Sequence, residues 1–194
     1  MAWSPRVEQF ILHPLPTMVL GLWDFAAIAL VLQPQKDNLR MVAIEGLAHG
    51  ESFENLDLAG FSRLEELRIP YWDTDFALDQ QWRLLAPALR KFVWLYPGTK
   101  DYRVGFLDFM DLDANWIRGL ASTAAARESP LEVIELKYRP MPPWIGILKA
   151  DAYPWDLMKR VAVDVQKAGI QLIWDAPTIS RKRFQALRDK NRSF

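Results

Sequence analysis

The hexapeptide Leu64-Glu-Glu-Leu-Arg-Ile69 carries apolar residues at its first, fourth and sixth positions and charged residues between them. Five other segments follow this L-x-x-L-x-L template with various apolar residues, and they begin at Val7, Leu39, Leu89, Leu131 and Ile170. In the last copy, Asp175 stands at the third apolar position. Because successive side chains of a strand point to opposite faces, each copy predicts a short strand with one apolar face.

Segments with helical spacing of apolar residues separate these strands. The predicted helices are Phe25–Gln33, Asp79–Leu85, Asn115–Arg127 and Pro154–Ala168. Asp113 is the predicted N-cap of the third helix, and Gly169 marks the end of the fourth. Strands and helices therefore alternate along the chain, which predicts an α/β fold with a parallel sheet.

The charges within the strands distinguish between two parallel architectures. The strands of a doubly wound sheet are covered on both faces and are continuous apolar runs. Here Glu65, Glu66 and Arg68 interrupt one strand, and Arg90 and Lys91 interrupt the next. The pattern therefore predicts a leucine-rich-repeat-like solenoid, or horseshoe, with a parallel sheet of about six strands and helices on the convex side. Residues 1–194 are expected to form a single irregular domain.

The C-terminal end of the sequence is basic. From Arg181 to Arg192 there are six lysines and arginines against one aspartate, which is a net charge of +5. This segment could serve as a nuclear address or as a phosphate-binding tail. Phe184 and Leu187 have the spacing of a packed helical stripe, and cations are favourable near the negative end of a helix dipole. We therefore favour a basic C-terminal capping helix, or a tail, over residues 177–194.

Composition excludes several classes of protein. The 194 residues carry 24 basic and 24 acidic side chains, so the zero net charge argues against a generally basic nucleic-acid-binding protein. The absence of cysteine excludes disulfides, thiol catalysis and thiolate zinc sites. Within the most apolar region, Phe10–Leu32, the longest stretch without a formal charge is Phe10–Trp23, which has 14 residues and is too short to span a membrane. No export signal is evident from Met1 to Pro16, so an intracellular location, cytoplasmic or nuclear, is expected.

Three of the template copies resemble a known family. The segments Phe61–Ile69, Ala86–Phe92 and Ser129–Leu136 are similar to the repeat region of fungal F-box/leucine-rich-repeat proteins, in which a helix ends and runs directly into the strand. The resemblance covers Leu39–Asp175 and implies a substrate-recruiting adaptor of a ubiquitin ligase. An F-box itself is not evident, and the asparagine that follows the strand in many leucine-rich repeats is missing.

The residues between the apolar template positions are predicted to point to the concave surface. The candidate binding residues of that surface are Glu45, Glu66, Arg68, Lys91, Glu135, Lys137 and Trp174, with Trp144 added from a proline-rich loop. Individually, these charges could simply pair across neighbouring strands. Together they predict a non-enzymatic scaffold that binds protein partners on its concave face, with Trp174 as an aromatic anchor and with no cofactor or metal.

The alternative function is catalytic. Asp108 or Asp111, followed by Glu135 and Lys137, is similar to the D…(D/E)-x-K pattern of a magnesium-dependent nuclease superfamily, in which carboxylates hold the metal and the lysine assists the attack. The repeat template explains Glu135 and Lys137 without chemistry, and three residues recur easily by chance. We therefore favour the scaffold.

Overall fold

The computed structural model describes residues 6–13, 25–45, 56–71, 79–96, 109–138 and 152–191. Within them, the strands are β1 (Gln9–Leu12), β2 (Met41–Ile44), β3 (Glu66–Pro70), β4 (Lys91–Leu95), β5 (Val133–Lys137) and β6 (Gln171–Trp174). The helices are α1 (Phe25–Leu32), α2 (Asp111–Ala126), α3 (Pro154–Gln166) and α4 (Arg181–Asn191), with 3-10 turns at Gln33–Gln35 and Gln81–Leu84.

The six strands form one sheet in the order β1-β2-β3-β4-β5-β6, and every neighbouring pair is parallel. This arrangement confirms the predicted six-stranded parallel sheet with strands in sequence order. The start of β4 is held beside β3, because the backbone N–H groups of Arg90 and Lys91 both donate to the carbonyl oxygen of Glu65. The same pattern joins Glu132 and Val133 to the carbonyl oxygen of Arg90.

One face of the sheet, here termed the covered face, packs against the helices. Its side chains come from the fourth and sixth template positions, and they are Val42, Ile44, Leu67, Ile69, Phe92, Trp94, Ile134 and Leu136. In α2, the ring of Trp116 lies 4.6 Å from that of Trp94 and 5.6 Å from that of Phe92. Burying each such side chain stabilises the fold by roughly 1.5–3 kcal/mol, which makes this core the main source of stability.

A row of tyrosines follows three neighbouring strands. Tyr71, Tyr96 and Tyr138 each occupy the second position after the last apolar template residue of β3, β4 and β5. The rings of Tyr71 and Tyr96 stack at 4.5 Å, and Tyr138 meets Tyr96 edge-on at 5.1 Å. Trp155 of α3 extends the row, with its ring 5.4 Å from that of Tyr138. The segments that follow β3, β4 and β5 are therefore joined by aromatic contacts, in addition to the hydrogen bonds between the strands.

Two helix predictions are wrong in detail. Asp113 is not the N-cap of α2, because the helix begins at Asp111 and Met110 holds the cap position. The Asp113 carboxylate is fully buried and accepts a hydrogen bond from the backbone N–H of Met110 at 2.5 Å, so it still caps the helix from its third position. The helix predicted over Asp79–Leu85 is only a 3-10 turn over Gln81–Leu84. That segment has too few residues to repay the cost of helix nucleation.

The ends of the last two helices agree with the sequence. Pro154 opens α3, and Gly169 follows its end with φ +76°, a backbone conformation that glycine adopts without a steric penalty. The basic C-terminal segment forms α4, and its Phe184 is buried with its ring 5.6 Å from that of Tyr153. No helix within the described ranges is both long and apolar enough to cross a membrane.

Candidate binding surface

The opposite side of the sheet, here termed the open face, presents the third, fifth and seventh template positions. Across β3, β4 and β5, the first row of residues in register is Glu66, Lys91 and Val133. The next row is Arg68, Val93 and Glu135, and the last is Pro70, Leu95 and Lys137. The alternation of side chains along each strand brings these residues to one face, as the sequence predicts.

Five of these residues form a connected set of ion pairs, here termed the charged network: Arg68, Glu66, Lys91, Glu135 and Lys137. The Nε of Arg68 lies 2.7 Å from Oε1 of Glu66, and Nζ of Lys91 lies 3.9 Å from the same oxygen. On its other side, Nζ of Lys91 lies 2.8 Å from Oε2 of Glu135, whose Oε1 binds Lys137. The network thus crosses three strands with alternating charges.

Glu135 is the best-buried member of the network. Its side chain is 13% exposed and is held between the ammonium groups of Lys91 and Lys137. Burial alone would raise the pKa of this carboxyl, but the hydrogen bonds from Lys137 and Lys91 outweigh burial and lower the pKa below its usual value. Glu135 is therefore a fixed negative charge at neutral pH.

An apolar floor lies beneath the charged side chains. Val93 points to the open face between Arg68 and Glu135, yet it is only 1% exposed. Each charged side chain of the network is between 13% and 43% exposed, so none of them extends fully into water. Long charged side chains can cover apolar surface with their aliphatic stems while their charged ends reach the solvent.

A second set of ion pairs lies at the edge where the strands begin. Arg40 pairs with Glu65, and Arg90 pairs with Glu132, each with a nitrogen–oxygen distance of 2.9 Å. These residues occupy the second template position, where the charge alternates in sign from Glu8 to Glu132. This alternation is readable in the sequence as opposite charges at one template position in successive copies. Such exposed pairs add about 0.2–1 kcal/mol each and favour this order of strands over others.

The structure brings together five of the eight predicted binding residues, namely Glu66, Arg68, Lys91, Glu135 and Lys137. Glu45 follows β2 and binds Nδ1 of His13 at 2.6 Å near the end of the sheet. It makes no ion pair with the charged network among the described side chains. Trp144 lies outside the described residues.

The placement of Trp174 on the concave face is wrong. Trp174 is in register with Leu136 and packs against the core, so it belongs to the covered face. The sequence template places Ile173 at its fourth position, whereas Leu172 is the residue in register with Ile134. This shift by one residue puts Leu172 and Trp174 at the apolar positions and moves Asp175 away from the third one, so that no charge has to be buried there.

The nuclease pattern is only partly placed. Asp111 is exposed in the first turn of α2, which packs on the covered face, whereas Glu135 and Lys137 lie on the open face. Asp108 lies outside the described residues. Both carboxylate oxygens of Glu135 bind ammonium groups, and no cluster of three metal-ligating side chains occurs in the part of the chain that the structure describes.

Comparison with known proteins adds no relative: no family model, curated protein or solved structure matches this chain.

Proposed function

We propose that this protein is a non-enzymatic protein–protein interaction scaffold, a leucine-rich-repeat-like solenoid that binds its partner on the open face of the sheet. The observation that carries this proposal is the charged network. It lies on a sheet face that keeps solvent access, and its residues come from three neighbouring strands held in register by a rigid core. A repeat architecture offers such an extended surface at little conformational cost.

The size of the open face indicates what kind of contact it can make. Six strands of about five residues span about 24 by 16 Å, or about 400 Å², from standard strand spacing and rise. A typical stable interface buries about 800 Å² on each partner. The open face by itself therefore suits a weak and reversible contact, as expected of a recruiting subunit.

The resemblance of Phe61–Ile69 and its two companion segments to fungal F-box/leucine-rich-repeat proteins supports a narrower proposal. In that role, the scaffold recruits substrates as an adaptor of a ubiquitin ligase inside the cell. The lack of cysteine fits a reducing compartment, the cytoplasm or the nucleus. Affinity purification of the tagged protein, followed by mass spectrometry, should recover ligase scaffold subunits; recovery of partners without any ligase component would contradict the adaptor role.

Photo-crosslinking tests the scaffold proposal directly. A benzophenone amino acid is introduced at Val133, a half-buried residue of the open face, and in a control variant at Val163, which is 63% exposed on α3. Irradiation in living cells should produce a discrete protein adduct from position 133 and none from position 163. The adduct should disappear when Lys91→Glu is added, because this change reverses the central cation of the charged network. Equal adducts from both positions, or an adduct that survives Lys91→Glu, would refute binding on the open face.

A further inference from the structure

The charged network contains one more cation than anions. Arg68, Lys91 and Lys137 supply three positive charges against two from Glu66 and Glu135, so the network has a net charge of +1. The order of charges is positive at both ends. One further negative charge would neutralise the network without leaving a carboxylate unpaired.

The two terminal cations are the members with the most solvent access. The side chain of Arg68 is 37% exposed and that of Lys137 is 43% exposed. Arg68 donates to Glu66 through Nε, and its two Nη groups make no hydrogen bond to any other described residue. A guanidinium can offer such a pair of N–H groups to a carboxylate in a bidentate arrangement.

Arg68 and Lys137 lie at opposite corners of a small rectangle on the open face. Arg68 is in register with Glu135, which lies two strands away, and Lys137 is two residues beyond Glu135 on the same strand. The Cα atoms of Arg68 and Lys137 are therefore about 12 Å apart. Val93 and Leu95 of the intervening strand lie between them. Two long cationic side chains can therefore converge on one anion above an apolar floor.

From this geometry we infer that the partner supplies a carboxylate, from an aspartate or glutamate beside an apolar residue, that binds between Arg68 and Lys137. The inference rests on the proposed scaffold function and adds the chemistry of the partner to it. A single negative charge matches the net +1 of the network, whereas a phosphate dianion would leave an excess negative charge next to Glu135. The apolar neighbour of the carboxylate would contact Leu95, which is half-buried on the same face.

Selection from a random displayed library of 12-residue peptides on the immobilised full chain provides the probe. Enriched peptides should contain an aspartate or glutamate next to an apolar residue. Fluorescence anisotropy then compares an enriched peptide with its amide version, in which the acid is replaced by glutamine or asparagine. The amide version should bind at least tenfold more weakly than the acidic peptide. The affinity of the Arg68→Gln/Lys137→Gln variant for the acidic peptide should fall by the same factor.

A matched control keeps this loss specific. Arg40→Gln/Arg90→Gln removes two cations from the strand-start edge of the same sheet, and it should change the affinity less than twofold. Circular dichroism melting of both double variants verifies that each remains folded.

The outcomes separate the two proposals. Enriched peptides could lack acidic residues and still lose affinity for the Val133→Asp variant. That result would overturn the inference of a partner carboxylate and keep the open face as the binding site. A phosphoserine version that binds more than tenfold tighter than the acidic peptide would also overturn the carboxylate. Peptides that bind Val133→Asp as well as the original protein would refute the open face, and with it the proposed function.

Discussion

Gly119 of α2 provides a test of how the helices pack on the sheet. A Cβ atom at this position would lie 2.7 Å from Oε1 and 3.2 Å from Nε2 of Gln81. Gln81 is fully buried, and its Nε2 donates a hydrogen bond to the carbonyl oxygen of Trp116 at 2.6 Å. Gly119→Ala therefore forces the amide of Gln81 to move inside a packed core.

Two opposing effects set the sign of this substitution. Alanine is favoured over glycine within a helix by about 1 kcal/mol. Against this, displacing a buried amide from its partner costs about 1–3 kcal/mol, and overpacking a core adds about 1–3 kcal/mol. The net result is a decrease of about 1–5 kcal/mol in the free energy of unfolding.

Removing Gln81 should reverse the sign. In a Gln81→Ala background the obstructing amide is gone, so Gly119→Ala should raise the free energy of unfolding by about 1 kcal/mol through helix propensity alone. Urea unfolding followed by tryptophan fluorescence measures both effects as changes in midpoint at constant slope.

Gly60 supplies the matched control, because a Cβ atom there would meet nothing within 4 Å. Gly60→Ala should therefore be neutral or slightly stabilising, by at most about 1 kcal/mol. A raised midpoint for Gly119→Ala in the unmodified protein would contradict the close approach of Gln81 to this helix. An equal effect of Gly119→Ala with and without Gln81 would contradict it as well.

Three further predictions concern the site residues. Because the pKa of Glu135 is lowered in the folded protein, the stability that its charge contributes is fully present above the ordinary value of 4.5 and is lost as the pH falls through the folded pKa. The difference in free energy of unfolding between the protein and Glu135→Gln should therefore shrink in urea titrations below pH 4.5, and a constant difference would contradict the ion pairing. Trp174→Ala should lower the free energy of unfolding by about 3 kcal/mol, near the low end for a core tryptophan. The affinity of the folded variant for a peptide that binds the open face should be unchanged. A loss of affinity with little destabilisation would instead place Trp174 in the binding site. Plasmid DNA incubated with the protein and Mg²⁺ should remain uncut, whereas cleavage that Glu135→Ala abolishes would establish the nuclease in place of the scaffold.

The center of the candidate site was predictable because it depends on local alternation. Once Leu67 and Ile69 are assigned to the core, Glu66 and Arg68 must point to the opposite face. The equal spacing of neighbouring template copies then puts Lys91 beside Glu66, as the structure has it. The register of the strands and the opposite signs of neighbouring charges then predict which side chains form ion pairs.

Other features had a readable signal that the template did not include. Tyr71, Tyr96 and Tyr138 occupy the same position in three successive copies, two residues beyond the last apolar position. Extending the template by two residues would have predicted the aromatic row. Gln81 had no comparable signal, because its burial depends on Trp116, which lies 35 residues away in the sequence and supplies the carbonyl acceptor.

By itself, the sequence determined which strands exist, their parallel order and the face on which the charged network lies, since apolar alternation within each copy selects the buried face. Only the tertiary structure decided the register of β6. Two alignments of this strand differ by one residue, and each puts the opposite set of side chains on the open face. The structure selects the alignment that packs Leu172 and Trp174 against the core, because the other would expose that tryptophan and place Asp175 at an apolar position.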